Sequence, residues 1–367
     1  MTNYQSRNLL FQLIICSLSD TKIEESLDGP FEEAMALSVR QNVVALAFDG
    51  LQKNKAGGKV NNELKLKWIG HITLATQMYA QTVLVEKTIS KYLYDKRIKA
   101  LVLKGTALSQ YYKIPELRQF SDIDIFSLAN YNAVDELLKA LGSDYQLECY
   151  RHSQCVVQGV SIENHIYLTD ARWQKRWSSL ESYLKKLAEQ SLYYQEIPGL
   201  CYPDYLFTII FFVYHALSHF VYDRLNIRFL VDWYCLLMKR NVEEDNLVES
   251  NLIEYGLMPM AAALTALCIK WLNLKDEEVP REVLKETERI QTDILTKIED
   301  DMFDDNHTGP TSNSLKDRIH RISTFIQYRW KIEQFLGISV YRFICFKIIA
   351  ILTWQIKEKS IKNEINQ

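Results

Sequence analysis

Apolar residues recur at three- and four-residue spacing through the first hundred positions, and that period predicts helices from Asn8 to about Arg97. Within this stretch "ELKLKWIGHITLATQMYAQTVLVEKTISKYLYDKRI" has the pattern of one long helix or two joined ones, with charges at its ends. Trp68 and His71 read there as core or groove-wall positions. The period then changes. "IKALVLKG" is a short apolar run closed by Gly105, and "TALSQYYK" fits one or two helical turns before Pro115. "SDIDIFS" alternates with period two, and "YNAVDELLKALG" returns to helical spacing and stops at Gly142. "YQLECYR", "QCVVQGV" and "SIENHIYLT" read as three further strands. The order β-α-β-α-β-β-β predicts an α+β unit of about 90 residues built on a small mixed β-sheet. From Asp204 the helical spacing resumes, interrupted by the polar "EDDMFDDNHTGPTSNSLKD", which reads as a surface loop. The expected organisation is therefore a helical region over 1–97, a mixed-sheet core over 98–190 and a second helical region over 191–367.

Composition narrows the partners. Formal net charge is -3 with both signs interspersed, so there is no electrostatic footprint for nucleic acid or an anionic membrane as the main partner. The seven cysteines are scattered and form no CxxC pair, which points to reduced thiols and a cytoplasmic location rather than a disulfide framework or a zinc knuckle. "LLFQLIICSLSD" reads as a core helix, since only Arg7 precedes it and no small-residue cleavage site follows. "FLGISVYRFICFKIIAILTW" is apolar, yet Arg342 and Lys347 lie inside it. A charge near a bilayer centre is costly, so the expectation is a packed or partner-facing helix with no transmembrane segment; membrane-surface contact is the alternative.

The chemistry concentrates around "DID". In a strand, residues i and i+2 project to one face about 7 Å apart along the chain. Asp122 and Asp124 therefore point together while Ile123 and Ile125 point into the opposite apolar face. Paired carboxylates repel and resist desolvation unless a cation lies between them, and Mg²⁺ with its oxygen ligands is the simplest such cation. The alternative is a solvated edge with one Asp capping a turn. Upstream, Lys104, Gly105 and Thr106 form a strand-to-helix turn of the kind that receives phosphate, or an ordinary turn. In "SIENHIY", Glu163, His165 and Tyr167 share one face, so Glu163 can complete a three-carboxylate cluster if its strand neighbours "DIDIF". His215 and His219 are i, i+4 on one helix, but "HALSH" lacks the glutamate of a zinc hydrolase. His215 with Arg228 and Asp232, and His165 on its strand, are candidates to line a pocket where the C-terminal helices close over the sheet; a buried Arg228 to Asp232 helix pair is the packing alternative.

Taken together, "LVLKGT", "LRQFSDIDIF", "IENHIYL" and "YHALSHFVYDRLNIRFLVDWY" resemble the uncharacterised bacterial nucleotidyltransferases of the DNA polymerase β-type superfamily. The resemblance covers roughly Ile98 to Leu237. It implies that Asp122, Asp124 and Glu163 bind Mg²⁺, two ions during turnover, and that Gly105 and Thr106 stand at the phosphate turn. Lys104 and Arg118 would face the triphosphate, with Ser121 leading into the aspartate strand. It further implies transfer of an NMP from an NTP to an acceptor that the resemblance does not name. The alternative within the same resemblance is an inactive nucleotide-binding or protein-interaction module.

Overall fold

In the computed structural model, which describes residues 4–19, 27–54, 58–128, 131–148, 152–170, 175–190, 199–304 and 322–349, six strands form one mixed sheet. They are β1 (Ala100–Val102), β2 (Asp122–Ser127), β3 (Ser143–Glu148), β4 (His152–Val157), β5 (Val160–His165) and β6 (Leu200–Cys201), in the spatial order β3-β4-β5-β2-β1-β6. The β5/β2 and β1/β6 pairs are parallel and the others antiparallel. The α+β architecture expected from the pattern is present. Its sixth strand comes from beyond residue 190.

Two sequence features set the register. Gln158 (φ 50°) and Gly159 (φ 82°) are both left-handed, as a two-residue hairpin turn requires, and they lock Val157 opposite Val160 and His152 opposite His165. Alternation along β2 then sorts its faces. Ile123 and Ile125 join Val102, Cys155 and Ile162 in a core closed by α4 (Asn62–Asp95) and α6 (Tyr131–Leu141), through Val85, Ile89, Leu93, Val134 and Leu138. Leu101, Leu103 and Phe126 face the other way, into a helical body.

That body draws on both ends of the chain. Helices α1 (Tyr4–Leu18), α2 (Phe31–Arg40) and α3 (Val44–Lys53) share one apolar core with α7 (Lys175–Gln190), α8 (Tyr205–Tyr222), α9 (Ile227–Met238), α10 (Asp245–Glu254), α11 (Met258–Leu272), α12 (Arg281–Arg289) and α13 (Thr292–Met302). Phe11 stacks on Trp271 at 4.7 Å, and Gln41 donates to Met302 O at 3.1 Å while accepting from Ile227 N at 2.8 Å. Apart from α4, the flanking helices thus share one core on one side of the sheet. Their apolar stripes find each other because neither region has enough other surface to cover them.

The long apolar-periodic segment is a single helix, α4, started by Asn61, whose side chain accepts from Leu64 N. Trp68 near its start is buried in the helical body and donates to Val44 O, while Val85 to Leu93 lie under the sheet. Between them, Ile69 to Gln81 contains no buried residue, so α4 bridges the two layers. Among the described residues, α8 is the one unbroken helix long and apolar enough to cross a membrane, and 72% of that stretch is buried within the protein. The apolar C-terminal stretch is broken at Gly337, whose left-handed φ of 65° ends the helix Arg329–Leu336; Val340 and Phe343 beyond it are buried. Its last residues, Cys149 and most of the predicted polar loop lie outside the described residues.

The packing of α1 against α3 depends on one missing Cβ. A Cβ on Gly50 of α3 would stand 1.8 Å from Leu13 O of α1, backbone against side chain, whereas a Cβ on Gly70 of α4 meets nothing within 4 Å. Gly50→Ala is expected to destabilise by about 3 kcal/mol or more, at the upper end of overpacking. Gly70→Ala is expected to stabilise by about 0.5–1 kcal/mol, since alanine replaces glycine inside an exposed helix. Urea unfolding of the two variants checks the opposite signs.

Candidate active site

β2 carries Asp122 and Asp124 to the face that looks toward the helical body, and β5 runs parallel beside it with Glu163 directly opposite Asp124. Oxygen atoms of Asp122, Asp124 and Glu163 all lie within 4.8 Å of one another. The convergence of three carboxylates expected from the alternation is therefore present. Burial and the neighbouring Asp124 charge hold Asp122 above the ordinary carboxylate range. Burial works against Asp124 as well, but the Lys104 ammonium at 2.8 Å and His165 Nε2 at 2.9 Å outweigh it and hold its carboxyl far below that range. Both of those contacts go to Oδ1. Asp124 Oδ2 is buried with no hydrogen-bond partner among the described residues. An orphaned carboxylate oxygen beside two more carboxylates is what a divalent cation with oxygen ligands fits, so the residues present suit Mg²⁺.

Glu163 is drawn down despite its burial, first by His165 at 3.5 Å. His165 holds its proton more tightly than usual because Asp124 and Glu163 both face it, against the opposing effect of burial. The turn after β1 lies alongside. Gly105 adopts φ 61° and ψ -116°, a conformation that favours glycine, and a Cβ there would come within 3.3 Å of Asp122 O. Its carbonyl accepts from Arg118 Nη1 at 3.1 Å.

The sequence profile of a family described as an uncharacterised nucleotidyltransferase matches residues 28–273. The chain belongs to that family. No curated protein matches it significantly. The span shared with these nucleotidyltransferases takes in all six strands, the three carboxylates and the Lys104 to Thr106 turn.

Several residues that the pattern aimed at a nucleotide have partners within the protein. Arg118 was expected to face the triphosphate, but its side chain is only 4% exposed and it grips Asp232 through Nε and Nη2 at 2.7 and 2.9 Å. Burial of a guanidinium demands a paired carboxylate, and Asp232, which also accepts from Tyr112 at 2.6 Å, supplies it. Arg118 thus ties the Gly105 turn to α9. Asp232 is likewise neither a pocket wall nor the helix partner of Arg228. Arg228 Nη1 instead donates to Gln119 O at 2.9 Å. The Thr106 hydroxyl donates to Glu86 beneath the turn. The helix it starts, α5 (Thr106–Ser109), has four residues, too short for much of a helix dipole, so the positive charge here comes from Lys104. Ser121 is exposed just before β2. His215 sits in an aromatic cluster with Phe211, His219 and Phe229, and neither it nor His219 belongs to a metal-capable group among the described residues.

Four residues that matter here were not legible as site residues. Gln119 accepts from Val44 N at 2.6 Å and so pins the loop before β2 to the start of α3, while Phe120 beside it meets Tyr79 of α4 edge-on. Tyr112 completes the Asp232 pair. His152 comes beside Glu163 at 3.8 Å. A signal for His152 did exist, because counting back equally from the Gln158-Gly159 turn sets it against His165.

The fourth is Glu86, on the sheet-facing side of α4. It accepts from Thr106 and, at 3.0 Å, from Tyr202, and burial pushes its pKa from the ordinary 4.5 to about 7. The folded protein keeps a proton that the unfolded chain releases above about 4.5, so this contribution to stability falls as pH rises from there through about 7 and is flat beyond. The loss amounts to about 3 kcal/mol at most. His165 pulls in the same direction, since its folded-state pKa is also raised. The difference between wild type and Glu86→Gln, measured by urea unfolding from pH 5 to 8, isolates Glu86. Glu86→Gln is expected to remove most of the decline.

Proposed function

We propose that the protein is an Mg²⁺-dependent nucleotidyltransferase that moves an NMP from an NTP to an acceptor hydroxyl or phosphate. The observation that carries this reading is the meeting of Asp122, Asp124 and Glu163 from two parallel strands, with an orphaned Asp124 oxygen among them. Family membership supports the reaction class. A relation to the DNA polymerase β type and a cytoplasmic location belong to the same proposal; five buried free cysteines support the location.

Asp122, Asp124 and Glu163 would hold one or two Mg²⁺, which when bound neutralise triphosphate charge and make an acceptor hydroxyl more acidic. The chain's own groups do the rest. The acceptor oxygen bonds to the α-phosphorus as the bond to the β-phosphate bridge breaks, and pyrophosphate leaves. Glu163, 21% exposed, stands where it can take the acceptor's proton or ligate. Lys104, 18% exposed and tied to Asp124, is the cation able to turn to a phosphate when Asp124 takes up a metal ion. Arg118 ties the turn to α9 and Glu86 ties it to α4.

The test supplies each of the four NTPs, labelled on the α-phosphate, with Mg²⁺ and candidate acceptors, and follows pyrophosphate release and label transfer. Transfer that requires Mg²⁺ and disappears in Asp122→Asn with Asp124→Asn is the expected result. Transfer persisting in that double variant overturns the assignment, and NTP binding without turnover under any condition favours the inactive module.

A further inference from the structure

Glu163 belongs to a second group of side chains. Its neighbour along β5, two residues on, is His165, and His152 of β4 lies directly opposite His165 in the hairpin ladder. The three therefore share a face of the sheet. One ligand atom from each of His152, Glu163 and His165 lies within 4.8 Å of the other two. The individual spacings are informative. In a tetrahedral site with bonds near 2.1 Å the ligand atoms stand about 3.4 Å apart. Glu163 Oε2 lies 3.5 Å from His165 Nε2 and 3.8 Å from His152 Nε2. The side chains of His152, Glu163 and His165 are 16%, 21% and 9% exposed, so the group is sheltered from bulk water.

We propose that His152, Glu163 and His165 form a second cation site, selective for Zn²⁺ or a similar borderline ion and sharing Glu163 with the three-carboxylate site. Two imidazoles and one carboxylate are a donor set for zinc with an open fourth position, whereas Mg²⁺ takes oxygen and keeps its waters. A carboxylate has two oxygens and can serve both sites at once. Loading the second site takes His165 Nε2 away from Asp124 Oδ1, and Asp124 keeps Lys104 at 2.8 Å. The two sites are thereby coupled: they share Glu163, and an ion on the histidines leaves Lys104 as the one remaining described contact of Asp124 Oδ1. A water or acceptor hydroxyl in the open position would be made more acidic on the Glu163 side of the site. That consequence for turnover rests on the transferase reading, whereas the binding does not.

The experiment uses the full chain freed of metal. Zn²⁺ and Mg²⁺ affinities are measured separately by competition with a chelating indicator, and Co²⁺ serves as an absorbing substitute for Zn²⁺. Wild type is expected to bind one Zn²⁺ per chain far more tightly than Mg²⁺, and to give the intense visible bands of low-coordinate, nitrogen-ligated Co²⁺. His152→Gln is expected to weaken Zn²⁺ by about a hundredfold and abolish those bands while leaving Mg²⁺ affinity unchanged. His165→Gln should weaken Zn²⁺ as well, and Asp122→Asn should weaken Mg²⁺ while sparing Zn²⁺. Unfolding curves establish that each variant is folded. Equal Zn²⁺ affinity in wild type and His152→Gln, or weak octahedral Co²⁺ absorption in wild type, overturns the proposal. NMP transfer persisting in that case leaves the transferase reading intact. Zn²⁺ binding with no NMP transfer fails the transferase reading alone.

Discussion

Asp124→Asn is expected to lower NMP transfer by about a thousandfold or more, since a metal bound to developing phosphate charge is worth several kcal/mol and each 1.36 kcal/mol is tenfold in rate. Asp124 is the better single target than Asp122. It is fully buried, carries the orphaned Oδ2, and meets both Lys104 and His165 through Oδ1. Asparagine keeps its shape and removes its charge. Asp122, whose pKa burial and the Asp124 charge now raise, loses that like charge, while Lys104 and His165 lose their shared counter-charge, so some stability is lost as well. The loss should appear in kcat at saturating NTP, measured where an unfolding curve shows the variant to be folded. Activity within tenfold of wild type would mean that these carboxylates do not hold the reacting metal.

The largest stability effect is expected at a pair far apart in sequence. Arg118 and Asp232 are 4% and 3% exposed along their side chains and bonded twice. Removing one partner of such a pair strands a buried charge and costs about 3–5 kcal/mol. Arg118→Met would leave Asp232 with the Tyr112 hydroxyl alone of the two partners described above and would free the Gly105 carbonyl from its guanidinium donor. Asp232→Leu would leave the guanidinium with Gly105 O but no counter-charge. The double variant should recover a large part of the loss, because two apolar chains of similar volume need no compensation. A double-mutant cycle by urea unfolding reads this directly. The residual defect in the double variant should fall on transfer activity, through the loosened Gly105 turn. Single variants as stable as wild type would show that the pair contributes little to holding the turn to α9.

Much of this was legible one segment at a time. The alternation in "SDIDIFS" put Asp122 and Asp124 on one face, the alternation in "SIENH" put Glu163 and His165 on one face, and the change from helical to two-residue period placed the sheet. The spacing through "ELKLKW" to "LYDKRI" became a single helix. These readings succeed because the direction of a side chain within a strand or helix follows from backbone geometry over a few residues. Arg118 and Asp232 instead bind each other, because a cation near a phosphate turn can face the ligand or brace the loop, and both choices look the same along the chain.

The sequence by itself determined five of the six strands, the order of those elements, and which side chains share a face within each, but not the edge strand β6. Only the tertiary structure decided that β5 lies parallel beside β2 with Glu163 against Asp124, that Arg118 meets Asp232 across 114 positions, and that the two ends of the chain close one core. Periodicity reports a local constraint, whereas the neighbours of a strand or a buried charge are chosen by the simultaneous burial of every apolar face in the molecule.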